Sequence, residues 1–315
     1  MARPYQGRLV TVPSIRRTPQ VPFEVKGRTV FITGAARGIG AATAERVYAK
    51  GANVALVGLE PELLQRNAAA LGERAAFFEA DVTDLQALQG AVEGTVEHFG
   101  AIDVAVANAG ISYSGTLAGA PVEQIERTLA VNFLGVWRTD RAVIDQITKQ
   151  RGYLLNISSL SAIAHSPLMG PYTAAKAGVE ALTDALRMES APSGARVGCA
   201  YFGFIDTDLV RAGFAQPGAL GLTEQLPAFM RTPAPLSKAI DAIERGIERR
   251  SARIWAPRWV GPLMALRGLT QPLTEARTLS DPDRLAEAMR AADSSEVEHD
   301  PLLGVAAQAL DPRGP

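Results

Sequence analysis

Residues 29–40 read TVFITGAARGIG, and here an apolar strand runs into a glycine-rich turn and then into helical sequence. The three glycines Gly34, Gly38 and Gly40 follow a Gly-x-x-x-Gly-x-Gly spacing. Glycine at such positions lets a turn close tightly, lets the backbone approach a pyrophosphate and lets a helix pack closely on a strand. The N-terminus of the following helix offers unpaired N–H groups and its positive dipole end to phosphate. The stretch therefore predicts a dinucleotide-binding βα turn.

Outward from this turn, short apolar segments alternate with helical ones. Strands are predicted at residues 28–33, 53–58, 75–79, 103–107, 153–158, 195–202 and 253–256. Helices are predicted at residues 38–50, 60–71, 84–99, 121–150, 171–190 and 235–249. Strands that are apolar on both faces and alternate with helices indicate a parallel sheet covered on both sides. We expect an α/β fold with a doubly wound parallel sheet of the Rossmann type, in a single domain with N- and C-terminal extensions.

The two ends of the chain differ from this regular core. Residues 1–24 form a predicted arm rich in arginine and proline, residues 25–256 the nucleotide-binding domain, and residues 257–315 an extension with an amphipathic segment and an acidic tail. The basic, Trp-bearing segment 257–280 is typical of a membrane interface, but it could equally fold over the pocket or bury against another subunit. Pro257, Pro262 and Pro272 interrupt any helix there, which favours the second interpretation.

Composition excludes several other classes of protein. The 315 residues are 47% hydrophobic and 21% charged with a net charge of −1, so no overall field attracts nucleic acid. One cysteine, Cys199, and three histidines cannot form an intrachain disulfide or a Cys/His zinc cage, and no metal is expected. The N-terminus has no apolar region of a secretory signal. The longest uncharged run, residues 152–175, contains prolines and polar residues that hydrocarbon would not tolerate. We expect a soluble, cytoplasmic protein.

Further motifs follow the glycine turn in a regular order. They are Asp81-Val82, Asn108-Ala109-Gly110, Asn132 within VNFLG, Asn156-Ile157-Ser158-Ser159, and Tyr172-Thr173-Ala174-Ala175-Lys176. Together with the turn they resemble the classical short-chain dehydrogenase/reductase family over residues 25–256. The resemblance implies an NAD(P)(H) cofactor, hydride transfer to or from a carbon that bears a carbonyl or hydroxyl group, and a homodimer or homotetramer formed through the helices at 121–150 and 171–190.

The spacing of Tyr172 and Lys176 has its own physical meaning. Four residues apart on a helix, they are neighbours on one face. A free tyrosine has a pKa of ~10, and a nearby ammonium favours its phenolate, so Lys176 is expected to lower the pKa of Tyr172. The resemblance makes Tyr172 the acid/base, Ser159 the donor to the substrate oxygen and Asn132 the holder of a water relay, with Lys176 also on the nicotinamide ribose. Ser158 and Ser161 are weaker candidates than Ser159, and His165 is expected to line the pocket or a loop.

The resemblance also assigns cofactor contacts. They are Gly34, Arg37, Gly38, Ile39, Gly40, Glu60, Asp81, Val82, Asn108, Ala109, Gly110, Tyr172, Lys176, Gly203, Ile205 and Thr207. An acid after the second strand binds the ribose of NAD, whereas an arginine accommodates the 2′-phosphate of NADP. The family positions for these residues are Gly58 and Leu59, which carry neither. Glu60 could bind the ribose or cap the next helix, and Arg37 could reach a phosphate. The absence of an acid at position 58 favours NADP(H).

These observations predict an NAD(P)-dependent oxidoreductase that interconverts a secondary alcohol and a ketone, or a primary alcohol and an aldehyde. Residues 208–234 correspond to the family's substrate lid and carry Phe214, Leu220, Leu222, Leu226, Phe229 and Met230, which favours a hydrophobic small-molecule substrate, although these side chains could also pack the lid itself. Phe202 replaces a proline usual in the family and, with Phe204, predicts an aromatic wall. Alternative functions are a non-catalytic NAD(P)-binding sensor or scaffold, and a membrane-docked lipid-metabolising reductase. The sequence does not select the substrate, direction or stereochemistry.

Overall fold

The computed structural model describes residues 22–216, 218, 223 and 226–294. Most of the predicted N-terminal arm, the end of the acidic tail, and Leu220 and Leu222 of the predicted lid lie outside these residues. Within the described residues the strands are β1 Thr29–Thr33, β2 Asn53–Gly58, β3 Ala75–Glu79, β4 Val104–Ala107, β5 Tyr153–Ile157, β6 Arg196–Phe202 and β7 Arg253–Ala256.

All neighbouring strands run parallel, and their order is β3-β2-β1-β4-β5-β6-β7. The order reverses between β1 and β4, where Ile32 is in register with Val106. In open α/β sheets the crevice at such a switch point, beyond the carboxyl ends of the strands, is where ligands bind. The predicted doubly wound parallel sheet is confirmed.

Helices cover both faces of the sheet. They are α1 Gly38–Ala49, α2 Pro61–Leu71, α3 Leu85–Phe99, α4 Val122–Leu129, α5 Gly135–Lys149, α6 Gly170–Ser190, α7 Asp208–Ala215, α8 Ala228–Arg231, α9 Leu236–Arg249, α10 Val260–Ala265, α11 Arg267–Leu279 and α12 Pro282–Ser294. The helix predicted at 121–150 is α4 and α5, joined by a π-helical turn at Ala130–Leu134. Such turns insert one extra residue and often mark functional sites.

The buried core lies in two layers because successive strand residues point to opposite faces. Val30 and Ile32 of β1 belong to one layer, while Phe31 belongs to the other. All three are wholly buried. This two-sided packing holds the ends of β1 and β4 rigidly, and the loops that follow these strands are therefore well positioned to carry a site.

The C-terminal extension is more helical than its sequence predicts. Pro262 and Pro272 both lie within helices, Pro262 in the first turn of α10 and Pro272 in the interior of α11. A proline in a first turn loses no hydrogen bond, since N–H groups there have no partner inside the helix. Pro272 does remove one bond, but α11 is held by side-chain contacts from Arg267 to Glu180 and from Gln271 to the backbone of His165. The expectation that these prolines prevent a helix is wrong.

A buried polar cluster connects α5, β5 and α6. Asn156 Nδ2 donates to Asp140 Oδ2 at 2.8 Å and to Thr183 Oγ1 at 3.0 Å. The other oxygens, Asp140 Oδ1 and Asn156 Oδ1, are buried without a hydrogen-bond partner. Burial raises the pKa of Asp140 to about 8, with the Asn156 hydrogen bond acting in the opposite direction. A protonated Asp140 supplies one O–H donor to a cluster that lacks donors, so the neutral acid suits this position.

Asp140→Asn is expected to reduce the pH dependence of the free energy of unfolding. Because the folded-state pKa is raised from 3.8 to about 8, the folded protein keeps a proton that the unfolded chain releases. This contribution to stability is complete below the lower value and is lost as pH rises through the higher one, at up to ~1.4 kcal/mol per pH unit. Urea unfolding at several pH values measures it. Asp145→Asn, on the exposed side of α5, is the control, and equal slopes for the two variants would contradict the assignment.

A helix needs about 20 mostly apolar residues to cross a bilayer. Among the described residues 22–216, 218, 223 and 226–294, no helix is long and apolar enough to do so. In the same part of the chain, no group of three His, Cys, Asp or Glu side chains is arranged to hold a metal ion.

Candidate active site

A cavity of about 810 Å³ opens at the carboxyl ends of the central strands. It is lined by most of the predicted site residues: Gly34, Arg37, Gly38, Ile39, Glu60, Asp81, Val82, Asn108, Ala109, Gly110, Ser159, Tyr172, Lys176, Gly203, Ile205 and Thr207. Gly40 and Asn132 are the exceptions, since neither is among its lining residues. The structure thus brings the predicted cofactor and catalytic positions together in one space.

The glycine turn requires glycine for two reasons. Gly34 and Gly38 have φ values of +64° and +56°, in the left-handed region that side chains rarely adopt. At Gly40 the backbone is ordinary, but a Cβ atom would lie 2.2 Å from the carbonyl oxygen of Gly34. Gly40 therefore lies beneath the turn and allows α1 to approach it, while Gly34 and Gly38 shape its cavity side.

The N-terminus of α1 is available to an anion. Its N-cap, Arg37, makes no side-chain hydrogen bond to the helix, and the first turn contains no acidic residue. A Cβ at Gly38 would meet only Thr207 Cγ2, at 3.8 Å. Open space and free N–H groups at the positive end of a helix are what a pyrophosphate needs, so these residues fit a dinucleotide.

Asn108 supports the glycine turn from the neighbouring strand. Its Nδ2 donates to the carbonyl oxygens of Thr33 and Gly34 at 3.0 and 3.1 Å. The Thr33 hydroxyl in turn accepts the backbone N–H groups of Asn108 and Ala109. These bonds hold the loops after β1 and β4 against each other, so the Asn108 side chain shapes the cofactor site through the backbone.

Arg37 and Glu60 form an ion pair at the far end of the cavity. Glu60 occupies the N-cap position of α2, as the alternative expects, but its side chain makes no capping bond to the helix. Neighbouring Gly58 and Asp81 also line the cavity, and Asp81 Oδ1 accepts the Thr83 N–H at 2.7 Å. Arg37, which favours NADP, and Glu60, which favours NAD, thus neutralise each other.

Tyr172 and Lys176 project from α6 into the cavity beside Ser159. Lys176 Nζ lies 5.7 Å from the centre of the Tyr172 ring and donates to the Ile157 carbonyl at 2.9 Å. Ser159 Oγ accepts the Ser161 N–H at 3.1 Å, and the Ser159 hydroxyl lies beside the Tyr172 side chain. This is the arrangement that a proton donor and an oxygen-binding hydroxyl would need.

The protonation of these groups follows from burial. Burial raises the pKa of Tyr172, while the hydrogen bond with Ser159 acts against the rise. Burial also lowers the pKa of Lys176 to about 8. The expectation that Lys176 lowers the tyrosine pKa is not met, because desolvation of the phenolate dominates and the ammonium is directed at a carbonyl. Tyr172 is therefore a neutral phenol at neutral pH in this structure.

The two neighbouring serines have different partners. Ser158 Oγ donates to the Lys176 carbonyl at 2.8 Å and so connects β5 to α6. Apart from its interaction with Tyr172, the Ser159 hydroxyl donates only a long contact of 3.5 Å to the Phe202 carbonyl. Its proton can therefore turn toward a substrate oxygen, which favours Ser159 over Ser158.

Asn132 lies in the π-helical turn and is wholly buried. Its Oδ1 accepts the Ile111 N–H at 2.9 Å and its Nδ2 donates to the Ile111 carbonyl at 2.8 Å. A Cβ on Gly110 would lie 2.8 Å from Asn132 Oδ1 and 3.7 Å from Lys176 Nζ. Asn132 therefore positions the loop that passes in front of Lys176, and its role in a water relay stays a prediction.

Comparison with known proteins identifies the family. Residues 28–217 match the short chain dehydrogenase family. The chain belongs to that family. It is 36% identical over 198 residues to 2-(R)-hydroxypropyl-CoM dehydrogenase of Xanthobacter autotrophicus, covering 60% of this chain and 79% of the relative. It is 34% identical over 218 residues to 3beta-hydroxysteroid dehydrogenase 1 of Eggerthella lenta, covering 67% of this chain and 84% of that protein.

Solved structures show the same relationship. A 3-ketoacyl-(acyl-carrier-protein) reductase from Brucella melitensis, solved with NADH, superimposes with a TM-score of 0.67 and 25% identity. The alignment covers 74% of this chain and 97% of that one. As a short chain dehydrogenase, the protein is an NAD(P)-dependent oxidoreductase that acts on CH–OH groups.

One wall of the cavity comes from outside the residues matched to the short chain dehydrogenase family. Leu266, Leu269 and Leu273, at and within α11, line it together with Phe229 and Met230 of α8. The sequence predicts that segment 257–280 folds over the pocket or buries against another subunit, and these leucines line the pocket, but it predicts no helix here. Their spacing of three and four residues is the signal of a helical face, but the nearby prolines argued against a helix. Phe202 and Phe204 line the cavity as predicted, and so does His165.

Proposed function

We propose that this short chain dehydrogenase interconverts a hydrophobic secondary alcohol and its ketone, with Ser159, Tyr172 and Lys176 at the reacting carbon. The observation that carries the proposal is that these three side chains line one cavity together with the glycine turn. The presence of the complete set argues against a sensor or scaffold that has lost catalysis.

The chain's own residues account for substrate binding and proton movement. A nicotinamide cofactor held at the glycine turn would supply or accept the hydride. Ser159 donates a hydrogen bond to the substrate oxygen and holds the reacting carbon in place. In reduction, Tyr172 gives its phenol proton to the carbonyl oxygen as negative charge develops there, and in oxidation the phenolate takes that proton back. Lys176, which lies beside this tyrosine, would bind the nicotinamide ribose.

Protonation favours the reductive direction at neutral pH. Burial raises the pKa of Tyr172, so the phenol that reduction uses is the dominant form. Oxidation needs the phenolate, whose share grows as pH rises. Alcohol oxidation is therefore expected to accelerate with increasing pH across the neutral range.

The wall of the cavity supports a hydrophobic substrate. Phe202, Phe204 and Phe214 line it, and the rings of Phe204 and Phe214 contact each other at 4.8 Å. The Eggerthella lenta relative is named for a hydroxysteroid, a large apolar secondary alcohol. Apolar walls with a few placed polar groups are typical of small-molecule sites.

For the cofactor we infer NADP(H), with Arg37 facing the 2′-phosphate. Support comes from Gly58, which places no carboxylate on the ribose, and from Arg37, which lines the cavity. Glu60 opposes this choice because its carboxylate holds Arg37 and would repel the phosphate.

Glu60→Gln is expected to raise the preference for NADPH over NADH about tenfold in kcat/KM, since one charge at close range contributes on the order of 1 kcal/mol or more. Steady-state kinetics with both cofactors measure it. Glu62→Gln, an exposed acid in the first turn of the same helix, is the control. An unchanged ratio in Glu60→Gln would show that Glu60 does not face the ribose.

The activity itself is tested with purified protein, a panel of secondary alcohols and their ketones, and both cofactors, by nicotinamide absorbance. We expect turnover in both directions, and stabilisation by the preferred cofactor of ~2.7 kcal/mol at about 100 times its Kd. Stabilisation by cofactor without turnover of any alcohol or ketone would instead support the sensor or scaffold. If the cofactors give no stabilisation and no alcohol or ketone is turned over, the proposal is contradicted.

We further propose that subunits associate through α5 and α6. Leu134 in the π-helical turn and Trp137 on α5 are 38% and 42% exposed, and Met188 on α6 is 71% exposed. Large apolar side chains exposed on adjacent helices favour burial against a second copy. Light scattering coupled to size-exclusion chromatography determines whether the particle is a dimer or a tetramer.

A further inference from the structure

Helix α11 presents one continuous face to the cavity. The lining positions begin with Leu266, just before the helix, and continue through Leu269, Thr270, Leu273, Thr274 and Arg277. Steps of three and four residues place these side chains in a single stripe. The part of the stripe from Leu266 to Leu273 is largely apolar and spans about 10 Å at the helical rise of ~1.5 Å per residue.

The leucines of this stripe are incompletely buried by the protein itself. Leu266, Leu269 and Leu273 are 57%, 63% and 69% exposed. These three leucines face a cavity instead of a core. Their side chains are shielded from water only when an apolar molecule occupies that cavity. Because Ser159 and Tyr172 line the same cavity, the substrate is the apolar molecule that these leucines are expected to contact.

The helix is held in place beside the catalytic residues. The backbone N–H of His165 donates to Gln271 Oε1 at 2.7 Å. Arg267 pairs with Glu180 of α6 at 2.8 Å. Leu263, just before the stripe, packs on the cluster that contains Leu160, the residue after Ser159. These contacts fix α11 against α6, which carries Tyr172, and against the loop that follows Ser159.

We propose that α11 binds the apolar body of the substrate, and that this body extends about 10 Å along Leu266, Leu269 and Leu273 at the helical rise of ~1.5 Å per residue. The inference rests on the proposed function and deepens it, since it names a substrate class: large hydrophobic alcohols or ketones in preference to small ones. It also gives the C-terminal extension a function. The stripe faces the catalytic cavity, which favours a substrate over a bilayer as its occupant.

The inference has a quantitative consequence for a series of straight-chain substrates. Each CH₂ group that leaves water on this wall should raise kcat/KM by up to about fourfold. Along the series from 2-butanol to 2-decanol, kcat/KM should therefore rise steadily.

The test compares leucine variants in the full-length protein with its cofactor. Leu269→Ala and Leu273→Ala are expected to flatten the rise and to lower kcat/KM for 2-decanol about tenfold. Leu279→Ala is the matched control, because Leu279 is on the same helix and 67% exposed but does not line the cavity. It should keep the slope of the unchanged enzyme. Alanine favours helix, so α11 should persist in all three variants.

A slope that is the same in all three variants would overturn the inference. Loss of vesicle binding in Leu273→Ala with an unchanged slope would also overturn it, since the stripe would then contact a bilayer. A second readout separates failure of the inference from failure of the proposed function. Trp259 contacts the cavity-lining Phe229 at 5.5 Å, so its fluorescence can report binding of 2-decanone without turnover.

If no alcohol is oxidised, the proposed function fails, and the binding measurement still decides the inference. Weaker binding of 2-decanone by Leu269→Ala and Leu273→Ala than by Leu279→Ala would support α11 as the binding wall. Equal binding by all three would overturn it.

Discussion

Replacing Tyr172 by phenylalanine is expected to lower kcat/KM for alcohol oxidation and ketone reduction about 10³-fold, within the range of general acid–base catalysis. The variant loses one oxygen atom and keeps the ring that lies 5.7 Å from Lys176 Nζ. Cofactor binding should persist, because the glycine turn and α1 do not contact this oxygen. A thermal-shift titration with NADPH and NADH checks that point, and absorbance kinetics measure the loss.

Tyr113→Phe is the control for this experiment. Tyr113 is a buried tyrosine on the loop after Gly110, and it does not line the cavity. It should retain turnover. The residual activity of Tyr172→Phe should also lose the rise of oxidation with pH, since no phenolate forms. If Tyr172→Phe has the turnover and the pH profile of the unchanged enzyme, Tyr172 is not the acid/base of the mechanism.

Gly40→Ala is expected to have the second largest effect. The new methyl carbon would lie 2.2 Å from the Gly34 carbonyl oxygen and 2.7 Å from Asn108 Nδ2. Relief of this overlap must move α1 away from the turn, which separates the N–H groups at its start from the phosphate position. We expect a loss of unfolding free energy of ~2 kcal/mol or more and a large loss of cofactor affinity.

A glycine-to-alanine substitution at an open helical position should instead raise the free energy of unfolding. Gly90 is an exposed helical glycine of α3 whose added Cβ would meet nothing within 4 Å. Gly90→Ala should stabilise the protein by about 0.5–1 kcal/mol, because alanine restricts the unfolded chain and favours helix. Urea unfolding and calorimetric titration with the preferred cofactor compare the two. Normal cofactor affinity in Gly40→Ala would contradict the close packing described here.

The sheet and the glycine turn could be predicted because their signals are local. Strand segments such as residues 53–58 are apolar on both faces, and the turn residues Gly34, Gly38 and Gly40 follow each other within one short stretch. The spacing of Ser159 and Tyr172 in the sequence does not show that their side chains are close in space. That proximity could be predicted because the family resemblance implies it.

Other features depend on contacts that the chain order does not reveal. Arg37 and Glu60 lie in successive loops and form an ion pair. The sequence around each residue does not predict this pair. The raised pKa of Tyr172 depends on burial, which opposes the effect expected from the lysine spacing. In α11, Pro272 obscured a leucine pattern that contacts with Glu180 and His165 make compatible with a helix.

The π-helical turn at Ala130–Leu134 changes how this helix should be compared with those of relatives. A π-turn behaves as a single inserted residue, so the side chains before and after it differ by about 100° from the phase of an uninterrupted α-helix. Counting in steps of three and four from Val122 therefore misplaces Trp137 by one position. The two hydrogen bonds between Asn132 and the Ile111 backbone fix the place where the phase changes. For this helix, correct register can be judged from the asparagine and its backbone partner better than from the apolar pattern.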